Sequence, residues 1–180
     1  MVIWLIGKSG VGKTTIGRKV HEQWKAISPN TVFVDGDEIR RVFQHDRTDD
    51  AYTITGRKKN ADRIAALCEW LDRQNVNVVA CVLSLFHETQ QWNRETYSNY
   101  FEVFIDVPLE VLVERDIKNL YKPALAGKVK NVVGIDIPFE PPLLPDMTID
   151  NRRDGICADV VAQTILQQAQ VLPHSRVNAA

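Results

Sequence analysis

Val2-Ile3-Trp4-Leu5-Ile6 runs directly into Gly7-Lys8-Ser9-Gly10-Val11-Gly12-Lys13-Thr14, and the fold follows from this stretch. The apolar half predicts a buried strand, and the second half matches the pattern G-x-x-x-x-G-K-[ST] in the expected place between a strand and a helix. Glycines let successive backbone N–H groups converge on phosphate oxygens, and the helix N-terminus adds a partial positive charge. The stretch therefore predicts a nucleoside triphosphate-binding loop.

The polar residues of this loop have distinct expected roles. Lys13 is expected to reach the β- and γ-phosphates, and the Thr14 hydroxyl to bind Mg²⁺. ATP and Mg²⁺ are thus the predicted cofactors. The predicted nucleotide-binding residues are Gly7, Ser9, Gly10, Gly12, Lys13, Thr14 and Thr15.

Outward from the loop, short apolar runs alternate with segments of helical length. The pattern predicts strands at residues 2–6, 31–34, 76–83, 103–107 and 147–149. It predicts helices at residues 13–26, 55–74, 88–100, 108–116 and 154–171. Such alternation indicates a three-layer α/β fold with a mostly parallel central sheet and helices on both faces.

One long segment lacks this periodicity. Residues 118–145 carry two glycines and five prolines, and so long an irregular stretch within a compact domain is usually a functional loop. We predict a lid segment at about residues 115–145. We also predict a single domain over residues 1–172 and a flexible tail at 173–180.

Composition narrows the function classes. The chain has 180 residues, the size of one domain, and a net charge of −1, which argues against binding a nucleic acid polymer. No apolar run approaches the length of a membrane span, and the first residues do not resemble a signal peptide. Three widely spaced cysteines indicate neither a disulfide framework nor a zinc site. We expect a cytoplasmic protein whose partner is a small molecule.

An acidic turn follows the second predicted strand. Val34-Asp35-Gly36-Asp37 ends the strand, and the carboxyl ends of parallel strands face the ligand crevice. At least one of Asp35 and Asp37 is therefore expected to orient an acceptor hydroxyl or to contact the ligands that surround Mg²⁺. The alternative for Asp37 is a helix N-cap over residues 38–43. Arg40, one turn later, is either a surface arginine or a group that meets a phosphate or sulfate.

Several further motifs, taken in order, resemble those of the adenylylsulfate kinase family. They are Asp35-Gly36-Asp37 with Arg40, Arg57 with Asn60, Glu114-Arg115-Asp116-Ile117-Lys118-Asn119-Leu120-Tyr121-Lys122, and Gly134-Ile135-Asp136-Ile137-Pro138-Phe139-Glu140. The resemblance runs from residue 2 to about 151. It implies a P-loop kinase fold and transfer of phosphate from MgATP to the 3′-hydroxyl of adenosine 5′-phosphosulfate, in sulfate activation. It also implies a homodimer.

The resemblance implies a role for each matching residue. The implied catalytic residues are Lys13, Asp35, Asp37, Arg115 and Lys118, with Asp35 or Asp37 in the second shell of a Mg²⁺ held by Thr14. The implied acceptor-binding residues are Asp37, Arg40, Tyr52, Arg57, Asn60, Ser84 and Val132. From Arg115 to Lys130, five basic residues and one acid line the lid segment, and such charge suits closure over polyphosphate.

Departures from the family pattern lie on the acceptor side. Val132 stands where the family has an aromatic ring that stacks on the acceptor base, and Leu85 replaces the proline of the turn that contains Ser84. One alternative is therefore a kinase for another nucleotide, such as cytidine diphosphoramidate in surface-polysaccharide modification, because a smaller base suits Val132. The other is a nucleotide-sensing P-loop protein without catalysis.

Overall fold

The central sheet has five strands: β1 (Val2–Ile6), β2 (Thr31–Asp35), β3 (Asn77–Val82), β4 (Tyr100–Asp106) and β5 (Met147–Asp150). The structure is a computed structural model that describes residues 1–152 and 157–173. The strands lie in the order β2-β3-β1-β4-β5, and each neighbouring pair is parallel. The prediction of a parallel α/β sheet is confirmed.

Helices cover both faces of this sheet. They are α1 (Lys13–Ile27), α2 (Gly36–Val42), α3 (Ile54–Asp72), α4 (His87–Thr96), α5 (Leu109–Arg115), α6 (Tyr121–Leu125) and α7 (Ala158–Gln168), with a 3-10 turn at His45–Arg47. Successive side chains of a strand point to opposite faces. Ile3 and Leu5 of β1 therefore pack with α1 and α7, whereas Trp4 packs on the other face with Ile64 of α3.

The sequence placed the end of α4 and the start of β4 wrongly, predicted α2 only as an alternative over residues 38–43, and missed α6. The helix predicted to reach residue 100 ends at Thr96, because Tyr97 is extended and Tyr100 already belongs to β4. Tyr100 is buried there and its hydroxyl donates to Glu102, so that an apparently polar segment is an internal strand. The short helices α2 and α6 lack enough turns for a periodic pattern. Residues 154–156 of the last predicted helix and 174–180 of the predicted tail lie outside the described residues.

The lid segment contains α6 and a parallel bridge between Val133 and Ile137. Pro123 fits within the first turn of α6, where a missing N–H removes no helical hydrogen bond. Across residues 1–152 and 157–173, no helix is long and apolar enough to cross a membrane.

Candidate active site

The loop between β1 and α1 turns at two glycines. Gly10 and Gly12 have φ angles of 79° and 99°, in the left-handed region that favours glycine. A Cβ on Gly12 would lie 2.8 Å from Nδ2 of Asn151. That amide donates to the carbonyl oxygen of Val11 at 2.8 Å, so the end of β5 holds the loop in place.

Lys13 lies back across this loop. Its Nζ donates to the carbonyl oxygens of Gly7 and Lys8, both at 2.8 Å. Burial lowers the pKa of Lys13 to about 8. The ammonium is thus held against the backbone of the loop, and an anion placed beside it would favour its charged form.

Asp35 connects the loop with the acidic turn. Thr14 Oγ1 donates to Asp35 Oδ2 at 2.8 Å, while Oδ1 of the same carboxylate accepts from the backbone N–H groups of Asp37 and Glu38 at 2.9 and 3.3 Å. Asp35 is therefore the N-cap of α2. The alternative that placed the cap at Asp37 is wrong, since the helix begins at Gly36, two residues earlier than expected.

Asp37 is consequently free to face the cavity. Its Oδ2 accepts from Lys118 Nζ and its Oδ1 from Arg40 Nη1, both at 3.1 Å. Burial alone would raise the pKa of Asp37, but Lys118, Arg40 and Lys13 together lower it below the usual value. The carboxylate is therefore ionised at neutral pH, beside three cations.

A second wall of the site comes from α2, α3 and the loop between them. The guanidinium of Arg40 lies 4.8 Å from the centre of the Tyr52 ring, and that of Arg57 lies 5.7 Å from it. Arg57 also donates to the carbonyl oxygens of Tyr52 and Asn131, at 2.9 and 2.8 Å. Asn60 is buried and donates from Nδ2 to the Gly36 carbonyl oxygen at 3.1 Å. These side chains present positive charge and one aromatic ring to a single space.

That space is a cavity of about 490 Å³ between the loop, the acidic turn and the lid segment. Its lining includes most of the predicted site residues, namely Ser9, Gly10, Gly12, Lys13, Thr14, Thr15, Asp35, Asp37, Arg40, Tyr52, Arg57, Asn60, Lys118 and Val132. Among the described residues that line the cavity, Tyr52 is the one aromatic residue. Val132 faces the cavity although it is 2% exposed.

Three predicted residues lie behind the cavity wall. Ser84 is buried, and its hydroxyl accepts a hydrogen bond from Gln90 Nε2 at 3.1 Å. Arg115 donates to the carbonyl oxygens of Asn151 and Arg152, at 3.1 and 2.8 Å, on the side of the loop that faces β5. Gly7 serves the loop through its carbonyl oxygen, which accepts from Lys13.

Sequence reasoning missed several residues of the site. The lid segment adds Ile117, Leu120, Val129, Lys130, Asn131 and Val133 to the lining. Tyr121 donates from its hydroxyl to the Ser9 carbonyl oxygen at 2.8 Å, and so connects the lid segment to the loop. Tyr121 belongs to the lid motif at residues 114–122, and that motif is the sequence signal from which its role could have been predicted. Nothing in the local pattern distinguished Asn151.

The arrangement suits phosphoryl transfer. The glycine turn, the N-terminus of α1 and Lys13 together suit the binding of phosphates, and the Thr14 hydroxyl and Asp35 carboxylate are oxygen ligands of the kind that Mg²⁺ prefers. No group of three or more histidine, cysteine or acidic side chains that would hold a metal by themselves occurs within residues 1–152 and 157–173. A Mg²⁺ ion here would therefore share its ligands with bound phosphates and water.

Comparison with known proteins gives consistent matches. The family model for adenylylsulphate kinase matches residues 1–150. A cytidine diphosphoramidate kinase of Campylobacter jejuni is 38% identical over 150 residues, which are 83% of this chain and 85% of the relative. An adenylyl-sulfate kinase of Synechococcus is 36% identical over 167 residues, 92% of this chain and 93% of the relative.

A solved structure matches over nearly the whole length. It is the Mycobacterium tuberculosis APS kinase in complex with AMPPNP and APS. The TM-score is 0.80 at 26% identity, and the match covers 94% of this chain and 96% of the other.

Proposed function

The chain belongs to the adenylylsulphate kinase family, and on that basis we propose that it transfers the γ-phosphoryl group of ATP to the 3′-hydroxyl of a nucleotide. The observation that carries the proposal is a single cavity with phosphate-binding and acceptor-binding walls. Lys13 and Thr14 lie on one wall, Arg40 and Arg57 on the other, and Asp37 between them.

Each group has a distinct task in the proposed reaction. The loop N–H groups and Lys13 hold the triphosphate, and Arg40 and Arg57 hold the anionic end of the acceptor. The acceptor hydroxyl oxygen attacks the γ-phosphorus, the bond to the β–γ bridging oxygen breaks, and ADP leaves. Asp37 orients the hydroxyl and takes its proton. Lys118, on the lid segment, offsets the negative charge of the transferring group, since catalysis of this reaction rests on positioning and charge stabilisation.

Magnesium fits the loop side of the cavity. Thr14 would bind the ion directly. Asp35 would not touch the ion but would hold the Thr14 hydroxyl in place, because it accepts the Thr14 hydrogen bond. When bound, Mg²⁺ neutralises charge on the β- and γ-phosphates.

Two acceptors suit the proposal, and they differ in base and in terminal group. Adenosine 5′-phosphosulfate is the acceptor implied by the family motifs, and Arg40 and Arg57 suit its two anionic groups. One specific observation favours cytidine diphosphoramidate. Because Val132 is not aromatic, Tyr52 is the one aromatic ring among the described cavity-lining residues that can stack on the acceptor base. Stacking contributes about 1–3 kcal/mol per base, so a missing second ring weakens the binding of a large base. The similarity to the Campylobacter kinase supports the same acceptor.

The test is acceptor-dependent release of ADP from MgATP, with each acceptor supplied separately. We expect turnover with at least one of them, and a product that carries its new phosphate on the 3′-oxygen by phosphorus NMR. ADP release that does not depend on any nucleotide acceptor would contradict the proposal.

Two variants of the acidic turn sharpen this test. Asp37→Asn should lower kcat by about a hundredfold or more, because the amide cannot take the proton. Glu38→Gln is the matched control, since Glu38 is the next residue and pairs with Arg18 on the surface. Equal kcat values for the two variants would exclude the role given to Asp37.

A further inference from the structure

Lys8 belongs to the phosphate-binding loop, but its side chain leaves the cavity. The ammonium lies 4.8 Å from the centre of the Phe139 ring. A Cβ on Gly134 would lie 3.6 Å from Cδ of Lys8, so the alkyl chain passes beside the Gly134 backbone. Lys8 therefore extends from the loop onto the second arm of the lid segment, which we define as residues 131–140.

The ring beneath this ammonium is anchored in the core. Phe139 stacks on Phe104 of β4, with the ring centres 6.1 Å apart, and packs against the core cluster that contains Trp4. Burial lowers the pKa of Lys8, and the nearby carboxylates of Asp106 and Glu110 oppose this effect. A cation over an aromatic ring is attracted more strongly where water is excluded, so the contact with Phe139 holds the second arm to the loop.

The second arm is one hydrogen-bonded unit. The N–H groups of residues 135–137 all donate to the Val132 carbonyl oxygen. The Asp136 carboxylate accepts from the N–H groups of Asn131 and Val132. Val132 and Val133 of this unit line the cavity. A displacement of the arm at Phe139 would therefore also displace the wall that faces the acceptor.

The backbone of Lys8 contacts the group that is expected to hold the phosphates. Its carbonyl oxygen accepts from Lys13 Nζ at 2.8 Å. One residue thus touches the phosphate-binding ammonium through its backbone and the second arm through its side chain. Bound phosphates would hold Lys13 and the loop in one arrangement, and Lys8 would transmit this order to the arm.

We infer that Lys8 is a positioning residue that couples nucleotide binding at the loop to the second arm, and through the arm to the acceptor wall. The inference rests on the proposed function only in requiring that the loop binds a nucleotide. Lys8 is absent from the cavity lining, so this role involves neither substrate directly.

Hydrogen exchange on the full chain, with and without MgADP, tests the coupling. The reporters are the amides of residues 131–137, whose hydrogen bonds lie within the arm. At about one hundred times its Kd, MgADP can slow exchange by up to about a hundredfold in segments that open only when the loop opens. In the wild type we expect exchange in the second arm to slow by at least about tenfold.

Three variants identify the contact that carries the coupling, each measured at about one hundred times its own Kd. Lys8→Met keeps the alkyl chain and removes the charge, so it should reduce the MgADP-dependent slowing in the arm by about threefold to tenfold. Phe139→Leu removes the ring and should have the same effect. The double variant should show no further loss, because each substitution removes the same contact.

Lys58→Met is the matched control. Lys58 Nζ lies 5.6 Å from the centre of the Phe86 ring, so the variant loses the same kind of contact on α3, away from the second arm. It should retain the wild-type response to MgADP.

The outcomes separate the inference from the proposed function. If Lys8→Met speeds exchange in the arm equally with and without MgADP, Lys8 only stabilises the arm and the inference is overturned. If MgADP slows exchange at residues 7–14 of the wild type but not in the second arm, the inference is overturned and the proposed kinase stands. Calorimetry that detects no binding of MgADP would contradict both.

Discussion

Lys13 is the residue whose charge state depends most directly on the ligand. Burial lowers its pKa to about 8 in the free protein, and bound phosphates favour the ammonium and raise that pKa. Nucleotide binding at pH 8 should therefore take up about 0.5 proton per site, and binding at pH 6.5 almost none. Above pH 8 the affinity for ADP should fall as the free lysine loses its proton. Calorimetry in buffers of different ionisation enthalpy measures the uptake.

Variants identify the source of these protons. Lys13→Met should abolish the uptake and weaken ADP binding. Lys25→Met, which alters an exposed lysine on the same helix, should preserve both. Proton uptake at pH 8 that survives in Lys13→Met would show that another group titrates.

Asp35 and Asp37 are two residues apart and should respond differently to substitution. Asp35→Ala leaves the first N–H groups of α2 and the Thr14 hydroxyl without their acceptor, so it should lower the free energy of unfolding by about 1–2 kcal/mol as well as the activity. Asp37→Asn keeps a hydrogen-bond acceptor beside the buried Arg40, so it should lower that free energy by less than Asp35→Ala does, while lowering kcat at least about a hundredfold. Urea unfolding and steady-state kinetics on both variants check this. Comparable destabilisation by the two substitutions would contradict it.

Residues that act within a few positions of each other could be predicted from the sequence. Lys13, Thr14 and Asp35 follow from strand ends and glycine turns. The hydrogen bond between Lys118 and Asp37 joins residues that are 81 positions apart in the sequence. The lid segment places its side chains at the cavity through long-range contacts of this kind, which a local sequence pattern does not reveal. Ser84 illustrates the limit, because one hydrogen bond from Gln90 holds it behind the cavity wall.

At the scale of elements, the lid segment is joined to the phosphate-binding loop through the start of α6. Asp116 accepts from the N–H groups of Leu120 and Tyr121, and the Tyr121 hydroxyl donates to the Ser9 carbonyl oxygen. Tyr121→Phe keeps the ring packing and removes this hydrogen bond. One hydrogen bond contributes about 0.5–1.5 kcal/mol, so KM for ATP should rise by about twofold to tenfold. Kinetics with ATP varied at saturating acceptor measure this.

A second tyrosine provides the control for that experiment. Tyr97 donates from its hydroxyl to the Ala65 carbonyl oxygen at 3.1 Å, on the opposite face of the sheet. Tyr97→Phe should lower stability to a similar extent and leave KM for ATP unchanged. A rise in KM in both variants would indicate a general loss of packing rather than a link from the lid segment to the loop.

The bounds of long helices and of fully buried strands were easier to predict from the sequence than those of short helices. β1 is buried on both faces and its bounds agree with the apolar run, and α1 and α3 are long enough for a helical period to be visible. α2 has seven residues and α6 has five, so neither completes two turns of pattern. Asp35 and Asp116 stabilise the starts of these helices: the Asp35 carboxylate accepts from N–H groups in the first turn of α2, and the Asp116 carboxylate from the N–H of the first residue of α6 and of the residue before it.

At the scale of the whole molecule, Asp72 joins three distant parts of the chain. At the end of α3 it accepts from the Met1 ammonium at 2.6 Å, and from the backbone N–H and hydroxyl of Ser98 at 2.7 and 2.8 Å. Burial alone would raise the pKa of Asp72, but the N-terminal ammonium and Ser98 lower it below the usual value. The ionised carboxylate therefore stabilises the packing of β1, α3 and the turn before β4.

Replacing Asp72 tests this connection through its pH dependence. Asp72→Asn should lower the free energy of unfolding by about 1–3 kcal/mol at pH 7. The protein used for this measurement must carry a free amino group at Met1. The folded pKa lies below the unfolded value of about 3.9, so the wild-type advantage is present above that pH and is lost as the pH falls through the folded pKa. Asp62→Asn, on the exposed face of the same helix, should change stability by less than about 0.5 kcal/mol. Denaturant unfolding from pH 7 down to pH 3 measures both, and an advantage over Asp72→Asn that stays constant across this range would exclude the ionised carboxylate as its source.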